Sequence, residues 1–86
     1  MPSVSEFLGI VIYMYFNDHW PPHFHAEYGE YEALYEIETL RVYEGKLPRR
    51  VHNLVVEWAD LHRVELMGNW SRARQGLSLA DIEPLE

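Results

Sequence analysis

The sequence predicts an α+β domain in which an antiparallel, three- to four-stranded meander carries one long helix packed on one face. Two observations support this fold class. Short segments rich in β-branched and aromatic residues alternate with turn signals in the first half of the chain, and a long stretch with helical periodicity follows in the second half. Because 86 residues leave room for one hydrophobic core, we expect a single domain over residues 1–86.

The predicted strands occupy the first half of the chain and are separated by residues that favour turns or exclude helix. Asn17-Asp18 is a turn signal after the first strand, and Gly29-Glu30 is a short hairpin turn. Pro21-Pro22 excludes helix and fixes an extended loop, because it removes two backbone donors. The predicted strands cover residues 8–16, 23–28, 31–38 and, as a candidate fourth strand, 40–43.

Alternation along the predicted hairpin separates a core face from an outer face. Pairing Tyr28 with Tyr31 keeps each face intact and puts His23 nearly opposite Glu36. The predicted core face carries Phe24, Ala26, Tyr28, Tyr31, Ala33, Tyr35 and Ile37. The predicted outer face carries His23, His25, Glu27, Glu32, Leu34, Glu36 and Glu38.

The predicted helix covers residues 48–74. Pro48 fits the first helical turn, and Gly68 is the position at which we expect a kink or an end. Residues 77–86 alternate too briefly to predict a strand, so we expect an extended tail. The packed stripe of the helix consists of Val51, Leu54, Val55, Trp58, Leu61 and Leu66.

Composition and charge exclude several classes of function. Seven Lys and Arg against 14 Asp and Glu give a net charge of −7, so the surface repels phosphate and broad nucleic-acid binding is not expected. The absence of cysteine excludes thiolate catalysis and thiolate metal sites. The longest apolar run, residues 7–16, is too short to cross a bilayer, and the first six residues lack the positive charges of a secretory signal. We therefore expect a cytoplasmic protein without membrane contact.

His19, His23 and His25 form a histidine cluster that is the strongest candidate site for chemistry. His23 and His25 lie two residues apart on a predicted strand and face the same way, roughly 7 Å apart, a spacing that a divalent metal can bridge. Imidazole suits zinc, copper, nickel or ferrous iron, of which we expect zinc or nickel, and Glu36 across the hairpin can complete or orient the set. Two alternatives stay open: a solvated strand face with cross-strand His–Glu pairs, and a catalytic or recognition role for the same imidazoles.

A second polar group continues the packed stripe of the predicted helix, at His62, Glu65 and Asn69. His62 and Glu65 lie one turn apart, so the carboxylate can hold the imidazole. His19 is the histidine best placed to reach the helix side, which makes His19, His62 and Glu65 a candidate catalytic set. The alternative is that the helix end projects beyond the sheet, with these residues solvated or bonded to loop backbone.

Trp20 lies beside two prolines in a predicted loop, where it can anchor a partner protein or pack over the core. Strand edges left open by so small a sheet also favour a protein partner or a homodimer. The complete set of candidate binding residues is Asp18, Trp20, Pro21, Pro22, Trp58 and Asn69.

Two segments of the chain resemble a known family. One is Asn17-Asp18-His19-x-Pro21-Pro22-His23-Phe24-His25-x-Glu27-Tyr28, and the other is Glu57-Trp58-Ala59-x-Leu61-His62-x-x-Glu65-Leu66-x-x-Asn69-Trp70. Together with Leu47-Pro48-x-Arg50, they are similar to the bacterial domain-of-unknown-function family 4160. The resemblance implies a small bacterial protein, often encoded beside another small protein in an arrangement like a toxin–antitoxin module, and it implies no established activity.

Two functions are compatible with these patterns. The first is a protein-binding module of a toxin–antitoxin-like pair, which contacts its partner through the histidine- and proline-containing loop and Trp20. The alternative is a small His-dependent or metal-assisted hydrolase, such as a nuclease-type toxin, built on His19, His23, His25 and His62. Whether the protein is an enzyme therefore stays open at this point.

Overall fold

The computed structural model describes residues 3–16 and 18–85. Within these residues, five strands are followed by two helices, and the strands form one antiparallel sheet in sequential order. The elements are β1 (Ser3–Phe7), β2 (Ile10–Tyr13), β3 (His23–Tyr28), β4 (Tyr31–Glu36), β5 (Val42–Lys46), α1 (Arg49–Leu61) and α2 (Arg63–Arg74). The predicted α+β meander is confirmed, but the described chain has one strand and one helix more than we expected.

The predicted first strand, residues 8–16, is a hairpin turn followed by a shorter strand. Leu8 and Gly9 have φ angles of 52° and 81°, and Phe7 pairs with Ile10 across this turn. A two-residue hairpin turn with positive φ at both positions matches the twist of the flanking strands. The continuous apolar run therefore conceals a reversal of the chain, and β1 was missed. Asn17, half of the predicted turn signal, lies outside the described residues.

The hairpin of β3 and β4 has the predicted register. Tyr28 pairs with Tyr31, and His23 pairs with Glu36. The predicted strand 23–28 matches β3, whereas the predicted strand 31–38 ends at Glu36 because the chain turns there, with the Leu40 N–H donating to the Glu36 carbonyl at 2.8 Å. The candidate strand 40–43 exists as β5, displaced to Val42–Lys46 by this turn.

The core lies between the sheet and the helices and is largely aromatic. The ring of Phe24 stacks on Tyr35 at 5.3 Å and meets Trp58 of α1 at 6.0 Å, while Phe7 of β1 packs on Trp58 at 5.4 Å. The predicted core face is buried except at its hairpin end, where Tyr28 is half-buried and Tyr31 is exposed. Large aromatic contact areas allow so small a chain to form a dense core.

The predicted single helix, residues 48–74, is interrupted at His62. This residue has φ −125° and ψ 26°, and its N–H donates to the Ala59 carbonyl at 3.0 Å, so α1 ends before it and α2 begins after it. Gly68, where we expected a kink, lies inside α2. Leu61, predicted in the packed stripe, is exposed because it lies where α1 ends. Neither helix in the described chain is long and apolar enough to span a membrane.

The tail is extended over residues 77–85, as predicted, and Glu86 lies outside the described residues. It is fixed by hydrogen bonds to three parts of the fold. The Asn69 amide donates to the Ala80 carbonyl and accepts from the Ala80 N–H, both at 2.8 Å. The Ile82 N–H donates to the Val4 carbonyl at 2.8 Å, and the Trp58 indole N–H donates to the Glu83 carbonyl at 2.8 Å. The polar stripe position Asn69 is therefore bonded to tail backbone, one of the alternatives the sequence left open.

Candidate functional site

His23 and His25 lie on one face of β3, and their ring centroids are 5.2 Å apart. Alternation along the strand produces this arrangement, since residues two apart point to the same side of a sheet. The connection between β2 and β3 then brings Asp18 over the two rings. The predicted pairing of the two strand histidines is confirmed, and the carboxylate comes from the loop.

The three side chains converge on a single oxygen atom. Oδ2 of Asp18 lies 2.9 Å from Nε2 of His23 and 3.1 Å from Nε2 of His25. One ligand atom from each residue lies within 4.8 Å of the other two. Two imidazole nitrogens and one carboxylate oxygen in this arrangement can bind a transition metal.

The other nitrogen of each imidazole faces an acceptor. Nδ1 of His23 lies 2.7 Å from the carbonyl oxygen of Pro21, and Nδ1 of His25 lies 3.3 Å from Oε2 of Glu32. A carbonyl or a carboxylate only accepts hydrogen bonds, so each of these contacts is a hydrogen bond when Nδ1 carries the hydrogen. Metal-binding histidines usually have this arrangement, in which a carbonyl or carboxylate orients the ring.

The Asp18–His23–His25 cluster is almost entirely enclosed. The side chain of His23 has 0% of its surface exposed, and the side chains of Asp18 and His25 have 15% and 13%. A solvated strand face was one of the alternatives left open from the sequence, and the enclosed His23 does not fit it. Trp70 of α2 contacts its ring at 5.2 Å and Tyr43 of β5 contacts it edge-on at 5.5 Å, so distant parts of the chain cover this face.

The Asp18 carboxyl group is stabilised as a carboxylate. Partial burial raises its pKa, but the hydrogen bond from His25, the backbone N–H of His19 and the charges of the two β3 histidines lower it by more. The backbone bond is 2.9 Å long, from the His19 N–H to Oδ1. The net effect places the pKa of Asp18 below its ordinary value, which favours the charged form that binds cations.

His19 is not part of the converging set, contrary to the predicted metal site of His19, His23 and His25. Its exposed ring stacks on His23 at 5.0 Å, and its Nδ1 lies 3.3 Å from the Trp20 carbonyl oxygen. Asp18 takes the place that we predicted for His19. Neighbouring loop residues point in directions that strand or helix periodicity does not determine, so no pattern in the sequence distinguishes these two.

Glu36 does not orient the cluster as we expected, although it pairs with His23 across the hairpin. Its carboxylate accepts a hydrogen bond from the Thr39 hydroxyl at 2.8 Å instead. Glu32 has the orienting role, and sequence reasoning overlooked it. Because His25 pairs with Leu34, Glu32 is the diagonal neighbour of His25 on the same face, a relation that the predicted register already contained.

The predicted catalytic set of His19, His62 and Glu65 is not assembled. Nδ1 of His62 lies 2.5 Å from Oε1 of Glu65, as the helical spacing predicts, and the His62 ring packs on Trp58 at 5.5 Å. Among residues 3–16 and 18–85, no hydrogen bond, ion pair or ring contact joins His19 to either partner. The structure thus separates two histidine arrangements, the cluster on β3 and a pair at the helix junction.

The candidate binding residues other than Asp18 divide into two groups. Trp58 and Asn69 are buried and hold the tail. Trp20 is 69% exposed, and its ring contacts Trp70 at 6.2 Å. A groove of about 580 Å³ lies beside it, lined by Trp20, Pro21, Pro22, Glu36, Ile37, Glu38, Arg63 and Met67.

The fold and the site define a small α+β domain with a two-histidine, one-carboxylate cluster on its sheet. The chain belongs to the family described as Domain of unknown function (DUF4160), whose family model matches residues 9–71. This confirms the resemblance stated from the sequence, and the matched region contains the whole cluster. No curated protein and no solved structure matches the chain.

Proposed function

We propose that the domain binds one divalent transition metal ion, zinc or nickel, through Asp18, His23 and His25. One observation carries this proposal. Both Nε2 atoms face a single carboxylate oxygen. Each Nδ1 atom faces a different acceptor, which favours the tautomer with its hydrogen on Nδ1. With a hydrogen kept on Nδ1, each imidazole can offer its Nε2 lone pair to a metal ion that takes the place of the hydrogen between Nε2 and the carboxylate.

The arrangement of acceptors favours a metal over protons as the source of positive charge. Without a cation, hydrogen bonds at all four ring nitrogens require both imidazoles to be doubly protonated. Two positive charges would then lie on rings 5.2 Å apart, one of them on the fully buried ring of His23. Burying a charge is costly, whereas one divalent ion with two neutral imidazoles satisfies the same contacts.

The donor set limits the choice of metal. Two imidazoles and a carboxylate suit zinc, nickel and ferrous iron, whereas calcium and magnesium prefer oxygen ligands alone. Cysteine is absent from the chain, so the competing preference of zinc for thiolate sites does not arise. We propose zinc or nickel as the resident ion, and preferential binding of ferrous iron would correct that assignment.

Titration of the purified, chelator-treated protein with zinc, nickel and manganese tests the proposal. We expect one zinc or nickel ion per chain with micromolar or tighter affinity, and much weaker binding of manganese. His23→Ala and Asp18→Asn should abolish this binding, while His62→Ala, which removes a histidine elsewhere, should leave it unchanged. Binding no tighter than millimolar, or equal binding by wild type and His23→Ala, would reject the metal site.

Metal-assisted hydrolysis is a second candidate function, because three protein ligands leave a coordination position for water. A zinc-bound water becomes a nucleophile near neutral pH, which is the basis of many hydrolases. If the protein is a nuclease-type toxin, its overexpression should inhibit growth. A His23→Ala, His25→Ala double variant that stays folded should then lose this inhibition, and unchanged inhibition would exclude the hydrolase.

A protein-binding role is a further proposal, supported by the exposure of Trp20. Tryptophan is enriched among residues that contribute most to binding between proteins, and Trp20 is 69% exposed beside the groove. The expected partner is the other half of a toxin–antitoxin-like pair. Co-purification with the product of the neighbouring gene, lost in Trp20→Ala, is the expected result, and absence of any complex with wild type would reject this pairing.

A further inference from the structure

We infer that the groove beside Trp20 binds a basic segment of a partner protein, in which a Lys or Arg lies next to a large apolar side chain. This inference rests on the protein-binding role proposed above and is independent of the metal site. An exposed tryptophan alone indicates a contact surface, whereas the charges and apolar residues around this groove indicate the chemistry of its occupant.

The groove has an apolar surface of suitable size. Its volume of about 580 Å³ lies in the range of sites that enclose several side chains or a small ligand. Trp20, Ile37 and Met67 contribute apolar side chains to its lining, and Trp20 and Met67 are exposed. Val64, one helical turn before Met67 on α2, is 86% exposed and extends the apolar surface beyond the groove.

The apolar residues of α2 divide between two sides of the helix. Leu66 and Trp70 are buried in the domain, while Val64 and Met67 are exposed on the other side. A surface helix normally presents polar residues to water. Exposed apolar residues beside an open groove are typical of a surface that another protein covers.

The charges around the groove favour a basic occupant. Among the described residues, no cation pairs with the carboxylate of Glu36 or of Glu38, and both residues line the groove. Arg63, the cation in the lining, is already engaged: it donates to the Glu38 carbonyl oxygen and pairs with Asp60 at 3.2 Å. The exposed face of Trp20 can also bind a Lys or Arg through a cation–π interaction.

Charge also disfavours a second copy of the chain as the occupant. Each copy has a net charge of −7, so association would bring two acidic surfaces together unless the contact were locally neutralised. A partner of opposite charge gains from the same field in both association rate and specificity. The groove therefore fits a basic segment of a different protein better than it fits a second copy of this chain.

Selection from a phage-displayed library of random peptides against the full-length protein tests this inference. We expect enriched peptides to carry Lys or Arg beside a large apolar residue. A synthetic peptide from the selection should bind Trp20→Ala roughly 30-fold more weakly than wild type, the effect of removing a dominant interface residue. Selection against the Glu38→Lys variant should no longer enrich peptides that carry Lys or Arg.

Matched controls use exposed residues outside the groove. Leu77→Ala removes another exposed apolar side chain, and Glu30→Lys makes the same charge change at the tip of the β3–β4 hairpin. Both should bind the selected peptide as wild type does, and a chelator should leave the affinity unchanged because the groove does not require the metal.

The outcomes separate the inference from the function on which it rests. Trp20-dependent peptides without a basic preference would overturn the inference and leave the protein-binding role in place. No Trp20-dependent enrichment would overturn both. A concentration-dependent dimer on gel filtration that is lost in Trp20→Ala would assign the groove to a second copy and overturn the inference as well.

Discussion

Two arrangements of histidine and carboxylate in this domain differ in what surrounds the imidazole. In the cluster on β3, the His23 ring is fully buried, and both of its nitrogens are held, by the Pro21 carbonyl and the Asp18 carboxylate. At the helix junction, Nδ1 of His62 contacts Oε1 of Glu65, whose side chain is half in water. A His–Glu pair at helical spacing is a local contact worth little, whereas convergence of several donors in an enclosed space indicates a binding site.

Different kinds of sequence pattern predicted the two arrangements. Helical spacing predicted the His62–Glu65 pair, and strand alternation predicted that His23 and His25 share a face. Neither pattern contains the information that makes the cluster on β3 a candidate site. That information lies in the enclosure of the ring and in the partners of its second nitrogen, both of which depend on long-range packing.

The largest difference should follow removal of one imidazole from each arrangement. His23→Ala should reduce the free energy of unfolding by about 3 kcal/mol, because it leaves a cavity and removes one of the two imidazoles that contact the Asp18 carboxylate. His62→Ala should cost less, about 1 kcal/mol, because its ring packs on Trp58 but its carboxylate partner stays half in water. Urea denaturation of both metal-free variants measures these values, and equal losses would contradict the distinction between them.

Metal addition should stabilise the protein through only one of the two arrangements. At free zinc 100 times the dissociation constant, the free energy of unfolding of wild type should rise by about 2.7 kcal/mol. The His62→Ala variant should show the same rise, and Asp18→Asn should show none. Thermal unfolding with and without zinc provides the measurement, and a zinc effect that persists in Asp18→Asn would place the ion elsewhere.

The orienting carboxylate should have a smaller effect. Glu32→Gln weakens the hydrogen bond that holds Nδ1 of His25, so zinc affinity should fall by about 10- to 100-fold without being abolished. Glu36→Gln, which changes a carboxylate on the same outer face, serves as the matched control and should leave the affinity unchanged. Calorimetric titration distinguishes the two, and equal affinities for both variants would exclude the role assigned to Glu32.

The smallest effect is expected at the helix junction. Glu65→Gln should change the free energy of unfolding by less than about 0.5 kcal/mol, since a pair between partly exposed groups three residues apart on a helix contributes little. Its zinc affinity should equal that of wild type. Chemical denaturation tests the first point, and a loss of several kcal/mol would show that the junction depends on this pair.

Much of the sheet was predictable, because its determinants are local. The β3–β4 hairpin has a turn signal, clear alternation and a register set by its buried face, and all three were read correctly. The reversal at Leu8-Gly9 was missed because apolar residues continue through the turn, leaving a single glycine as the signal. The interruption at His62 has neither proline nor glycine, so periodicity gave no reason to divide the helix there.

The candidate site was predictable only in part, for a related reason. The sequence pattern placed His23 and His25 together, but it left open whether they are solvated or form a site. The enclosure of His23 depends on Trp70 and Tyr43, which follow it by at least 20 positions and reach it from α2 and β5. Which loop residue completes the cluster, Asp18 or His19, depends on backbone directions that no periodicity determines.

The central claim is that Nε2 of both β3 histidines binds a metal while Nδ1 keeps its hydrogen. Long-range proton–nitrogen NMR correlation spectra of the imidazole rings, recorded before and after one equivalent of zinc, test this claim most directly. We predict that zinc shifts the Nε2 signals of His23 and His25, that their Nδ1 nitrogens stay protonated, and that the signals of His62 stay unchanged. Unchanged Nε2 signals at His23 and His25, or equal shifts at all histidines, would contradict the claim.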